Sequence, residues 1–87
     1  MTDQDILNQV TRILRDLLSD ESIVLTLETK REEVANWDSF AYVSFIVEVE
    51  TEFGLKFTVA EVESFPDVGA IVRRIGEILP AGQQRPR

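Results

Sequence analysis

The segment Trp37-Asp38-Ser39-Phe40 sets a hydroxyl directly behind a carboxylate, and it is the first place to look for chemistry. A serine acts as a nucleophile only when a neighbouring base, most often histidine, takes its proton. The chain has no histidine and no cysteine. Those absences remove the commonest general base, the thiolate nucleophile, the disulfide, and the usual nitrogen and sulfur metal ligands. Carboxylates alone could still hold a metal, but no spacing here suggests it. The alternating Asp and Asn of a calcium loop is absent. No residue is expected to be catalytic and none to bind a metal. On residue type alone, Ser39 reads as a plain helix cap as readily as a site of modification.

A helix must present this serine. Asp38 is a good cap at its start and Gly54 a good stop at its end, which predicts a helix from Ser39 to Phe53. At about 100° per residue, Tyr42, Phe45, Ile46, Val49 and Phe53 share one arc, the expected core face. Phe40, Val43 and Val47 form a second apolar stripe roughly opposite, where an ordinary surface helix is polar. Glu48, Glu50, Thr51 and Glu52 flank it. The stripe either lies under a neighbouring loop or faces solvent as a contact surface.

Other elements follow from pattern. Ile6, Val10, Ile13, Leu14 and Leu17 fall on one face of a helix from Asp3 to Leu18, with Thr2 or Asp3 as its cap. Residues 19–37 have no sustained period. They read as a long loop pinned by Val24, Leu25, Leu27, Val34 and Trp37, with one helical turn near Arg31 to Val34. Trp37 is expected to anchor that loop on the core rather than to touch a ligand. Thr58-Val59-Ala60-Glu61 fits a capping box and starts a short helix that ends before Pro66. Asp67 caps a last helix with Val68, Ile71, Val72, Ile75 and Leu79 on one face, and Pro80 stops it. Glu32-Glu33 and Arg73-Arg74 read as solvated faces. The expected fold is all-α, a small four-helix bundle of three longer helices and one short one with a long first loop. Residues 1–80 form one domain, and residues 81–87 a disordered polar tail.

Bulk properties agree. With 87 residues and 44% hydrophobic content, the chain suits one modest core and is too apolar for a disordered segment. Sixteen acids against nine bases give a net charge of −7, which opposes binding to nucleic acid or an anionic membrane. From Asp38 to Asp67 there are seven acids and one base, a local balance of −6. That excess is either a solubilising surface or a match for basic partners. No apolar run is long enough to cross a bilayer, so no membrane insertion is expected. The N-terminus lacks the features of a secretion signal, which makes the cytoplasm the expected location.

Taken together, Asp38-Ser39-Phe40, the acidic helix with its apolar stripe, and the ending Glu52-Phe53-Gly54-Leu55-Lys56-Phe57 resemble the acyl carrier proteins. The resemblance runs over about residues 3–79. That family has Asp-Ser-Leu at the head of its second helix and a Glu-Phe-Gly ending. It implies an acyl-carrier-protein-like fold and a non-enzymatic carrier. It also implies 4′-phosphopantetheine attached at Ser39, with Asp38 assisting metal binding and recognition while a phosphopantetheinyl transferase moves the group from coenzyme A. The arm's thiol would carry acyl groups as thioesters, in a chain that has no thiol of its own. By the same resemblance Phe40, Val43, Val47, Glu48 and Thr51 match positions that meet partner enzymes. These would be loading ligases, synthases and transferases with basic surfaces, and the protein is expected to act as a monomer. Phe40 stands where leucine is usual, and Asn36-Trp37 where fatty-acid-synthesis carriers have glycine and a small residue. The Trp-Asp-Ser version looks more like discrete carriers of specialised pathways, and Met1 with the polar tail suits a stand-alone protein. A peptidyl or aminoacyl carrier shares the fold and the modified serine. An unmodified acidic helical interaction module is the alternative outside the carriers.

Overall fold

The fold, given by a computed structural model that describes residues 1–79, is set by four capped helices: α1 (Asp3–Leu18), α2 (Ser39–Phe53), α3 (Val59–Ser64) and α4 (Val68–Ile78). The expected helix stop at Pro80 and the polar tail 81–87 lie outside the described residues. A short 3₁₀ turn at Arg31–Glu33 interrupts the connection from α1 to α2, within the stretch expected to hold one helical turn. Among the described residues, no helix is long and apolar enough to cross a membrane.

Each helix starts where a side chain satisfies its free backbone donors. The Thr2 hydroxyl accepts from the Asp5 N–H at 3.1 Å, and the Asp5 carboxylate accepts from the Thr2 N–H at 3.2 Å. That reciprocal pair settles the first cap on Thr2 rather than Asp3. Thr58 and Glu61 repeat the arrangement at α3. Asp67 caps α4 by accepting from the Ala70 N–H at 2.9 Å. At the far end of α2, Gly54 takes φ +67°, and the Leu55 N–H reaches back to the Glu50 carbonyl at 3.1 Å. This is the left-handed closure that glycine adopts at least cost.

α1 packs against both α2 and α4. Ile6, Val10 and Leu14 of α1 meet Phe45 and Val49 of α2 and Val72 and Ile75 of α4, all fully buried. Each such side chain contributes about 1.5–3 kcal/mol. The pairs of Arg12 with Asp16 and Glu21 are exposed and screened by solvent, so apolar packing decides the fold. Ile13 and Leu17, placed by periodicity on the same face, pack at the edge of the core, and Leu7 is buried beside Ile6.

The long loop departs from expectation at one residue. Val24 is 73% exposed, and its neighbours Ile23 and Leu25 are buried in its place. Burial alternates along 23–25, and Arg15 Nε donates to the Ile23 carbonyl at 2.7 Å, which ties this part of the loop to α1. Further on, the loop is tied to the head of α4. The Val68 N–H donates to the Thr29 carbonyl at 2.9 Å and the Gly69 N–H to the Leu27 carbonyl at 2.8 Å. A Cβ on Gly69 would stand 2.5 Å from the Leu27 oxygen, so only glycine allows this approach. Leu27 and Val34 are partly buried, as the pinning role requires.

Candidate functional site

Ser39 is the first residue of α2, and the cap before it is Asp38. The Asp38 carboxylate accepts from the Ala41 N–H at 2.8 Å and its carbonyl accepts the Tyr42 N–H at the same distance. The cap is therefore supplied by Asp38, and the plain-cap reading of Ser39 falls. Ser39 is exposed, and its hydroxyl makes no hydrogen bond among the described residues. The N-terminal end of α2 carries free N–H groups and the positive end of the helix dipole, surroundings that suit a phosphate.

The approach to Ser39 is shaped by Asn36 and Trp37. Asn36 has φ +69°, a left-handed conformation that asparagine tolerates better than most side chains. This turn drives Trp37 inward, where it is 3% exposed and meets Phe45 edge-on at 5.1 Å between ring centroids. The expected loop anchor is present. Its indole Nε1, however, is buried with no hydrogen-bond partner among the described residues.

Ser39 opens onto a cleft of about 490 Å³ between the end of the loop, α2, α3 and the head of α4. Trp37, Tyr42, Val62 and Phe65 supply apolar walls, and Arg31, Glu32, Glu63 and Asp67 supply charge. The Tyr42 hydroxyl donates to the Val62 carbonyl at 2.7 Å, which holds α3 against α2. Burial pushes the Tyr42 phenol up to about 12, with the Arg31 guanidinium pulling the other way. Arg31 Nη1 donates to the Trp37 carbonyl at 3.2 Å, and the guanidinium sits 5.8 Å from the Tyr42 ring centroid. Arg31 and Val62 had no signal in the sequence, because they reach the cleft only through the loop's path and the tilt of a six-residue helix.

The second stripe of α2 is not covered by the loop. Phe40 is 81% exposed, Val43 56% and Val47 52%, and Glu48, Thr51 and Glu52 beside them are exposed too. The Thr51 hydroxyl donates to the Val47 carbonyl at 3.0 Å, within the helix. Glu50 belongs elsewhere: its carboxylate accepts from the Phe57 N–H at 2.9 Å and secures the turn after Gly54. Val59, at the start of α3, adds a further exposed apolar side chain that the sequence reading had not singled out.

Arg74 is partly exposed, as a solvated face requires, but it is also paired. It pairs with Glu61, tying α4 to α3, and reaches Glu77 at 3.3 Å. The Thr58 N–H holds the Glu61 carboxyl below its ordinary range, and Arg74 adds to this against the cost of desolvation. Glu33 likewise has structural work, accepting from the Lys30 N–H at 2.8 Å. Arg73 and Glu32 remain exposed.

The chain is similar to known proteins in sequence and in fold. A family model described as "Phosphopantetheine attachment site" matches residues 8–75. The solution structure of holo acyl carrier protein from Geobacter metallireducens is similar over 93% of each chain, with a TM-score of 0.80 and 30% identity. Family and fold point to a carrier bearing covalent 4′-phosphopantetheine, not to a catalyst. With a family match over most of its length and the same helical architecture, the chain belongs to the phosphopantetheine-binding acyl carrier proteins.

Proposed function

We propose that Ser39 is the attachment point of the phosphopantetheine arm, and that the domain of residues 1–80 carries acyl intermediates for a specialised biosynthetic pathway. The observation that supports Ser39 best is the division of labour at the head of α2. Asp38 does the capping, and the adjacent hydroxyl is exposed and uncommitted. The group fits the site: a phosphate beside Ser39 meets helix N–H groups, and the arm finds a cleft with both apolar and polar walls next to it. Bound there, the arm supplies a terminal thiol for thioester formation, which a chain without cysteine lacks. The second oxygen of the Asp38 carboxylate makes no hydrogen bond among the described residues, which leaves it free to assist metal binding during transfer.

Phe40, Val43 and Val47, bordered by Glu48 and Thr51, are the proposed docking face for a phosphopantetheinyl transferase and for loading and acyl-handling enzymes with basic surfaces. Exposed apolar side chains rimmed by acids suit short-lived encounters with such surfaces. The bulky Trp37 and Phe40 around the Asp-Ser pair favour a specialised pathway over general fatty acid synthesis.

The test is intact mass after incubation with coenzyme A and a broad-specificity phosphopantetheinyl transferase. The wild type gains one phosphopantetheinyl group, and Ser39→Ala gains none while its stability stays within about 0.5 kcal/mol. A gain in Ser39→Ala, or none in the wild type, removes the assignment. Loading the holo protein with fatty-acyl, polyketide and amino-acid ligases then separates an acyl carrier from an aminoacyl or peptidyl one.

A further inference from the structure

We propose that Arg31 binds the phosphate of the arm, its guanidinium donating to the phosphodiester oxygens once the group is joined at Ser39. The proposal rests on attachment at that serine.

The first observation is the charge around the serine. A phosphodiester is an anion, and the cleft that Ser39 borders is lined by the acids Glu32, Glu63 and Asp67, with Arg31 the one base. Arg31 is half-buried and makes no ion pair among the described residues, whereas Arg12 and Arg74 each hold two carboxylates. The Asp67 carboxylate is committed to the cap of α4, and Glu32 and Glu63 are exposed. A phosphate entering this cleft therefore has a single cation to meet, and that cation is not neutralised by a neighbour.

The second observation is placement. Two residues of the same cleft hold the guanidinium. Its Nη1 donates to the Trp37 carbonyl at 3.2 Å, and its carbon stands 5.8 Å from the Tyr42 ring centroid. The backbone beneath it is fixed as well, since the Arg31 carbonyl accepts from the Val34 N–H at 3.1 Å. The Trp37 carbonyl belongs to the peptide that enters Asp38, so covalent geometry keeps that nitrogen within about 11 Å of the Ser39 Cα. A phosphate tethered to the serine is thus held at high effective concentration beside the guanidinium.

The chemistry matches. Arginine presents a planar fork of N–H donors that suits phosphate oxygens, and among the described residues only Nη1 is spent, on Trp37. Such charge-assisted hydrogen bonds are among the stronger ones. The pairing offsets the repulsion from the cleft's acids and fixes the first bonds of an otherwise freely turning arm.

The test compares the apo and holo protein, with conversion verified by mass. The Arg31 guanidinium N–H signals, assigned by their loss in Arg31→Gln, should shift on conversion. They should also exchange with solvent about tenfold more slowly, as one added hydrogen bond implies. The arm brings the only phosphorus, so the ³¹P resonance reports the same contact from the other side. In the folded holo protein it should stand apart from its position in denaturant, and Arg31→Gln should bring it back toward that position. A mass gain with the guanidinium signals and their exchange unchanged overturns the contact and leaves attachment at Ser39 standing. A guanidinium shift with a ³¹P resonance indifferent to Arg31→Gln also overturns it. Absence of any mass gain overturns the attachment itself. If Arg31→Gln fails to fold, the guanidinium exchange and the folded-against-denatured ³¹P comparison in the wild type still decide.

Discussion

At the scale of single residues, the tyrosine that holds α3 in place gives a pH-dependent signature. Tyr42 donates to the Val62 carbonyl, and burial raises its phenol to about 12 from an ordinary 10.0. Between those values the folded state keeps a proton that the unfolded chain has lost, so stability falls as pH rises. Below about 10 the contribution is fully present; above about 12 it is gone. The chain has one tyrosine, so phenolate absorbance reports this group alone. Its midpoint should lie near 12 in the folded protein and near 10 in denaturant. Tyr42→Phe should cost about 1 kcal/mol at neutral pH through the lost hydrogen bond. Its stability gap to the wild type should narrow across the same window, and a folded-state midpoint at 10 would refute the burial account. Such a role was invisible in the sequence, where Tyr42 was one member of an apolar arc. The Asp38–Ser39 pair was legible, because capping chemistry is local and depends on spacing alone. The orphaned indole of Trp37 was not, since partners are decided by tertiary placement.

At the scale of elements, the helices could be read and the loop could not. Each helix announces itself through a cap and a 3.6-residue period, and Thr2, Asp38, Thr58 and Asp67 all cap as their positions suggest. Residues 19–37 have no period, so which of two adjacent apolar residues turns inward depends on hydrogen bonds made far away in sequence. Ile23 rather than Val24 is buried, and Arg15, on α1, holds the Ile23 carbonyl. The joint between loop and α4 makes a sharp test. Gly69→Ala would place its Cβ 2.5 Å from the Leu27 oxygen, and backbone cannot yield as a flexible side chain can. Overpacking of this kind costs about 1–3 kcal/mol, and each kcal/mol lowers Tm by about 4–8 °C in a domain of this size. Thermal unfolding of Gly69→Ala checks it. Helix propensity alone predicts the opposite sign, since alanine is the better helix former. A Tm equal to or above that of the wild type would therefore show that the loop does not sit against α4 as described.

At the scale of the whole molecule, two faces of one helix are put to different use. One face of α2 supplies Phe45, Ile46 and Val49 to the core, and the other leaves Phe40, Val43 and Val47 in solvent beside the proposed attachment serine. Exposed apolar groups contribute little to folding, so Phe40→Ala and Val47→Ala should leave Tm nearly unchanged. If the face docks enzymes, the same changes should lower kcat/KM for phosphopantetheine transfer by about tenfold each, as truncation of a contact worth about 1.4 kcal/mol implies. The acid excess of the 38–67 segment acts over longer range, raising the rate of encounter with basic surfaces and being screened by salt. Transfer should therefore slow as ionic strength rises, and Glu48→Lys should weaken both the reaction and its salt dependence. Measuring the two together separates the contributions. Phe40→Ala should lower the rate at every salt concentration and leave the slope intact, whereas Glu48→Lys should flatten the slope. A Phe40→Ala protein that transfers normally, or that loses stability instead of rate, would show that the exposed stripe is not the contact face.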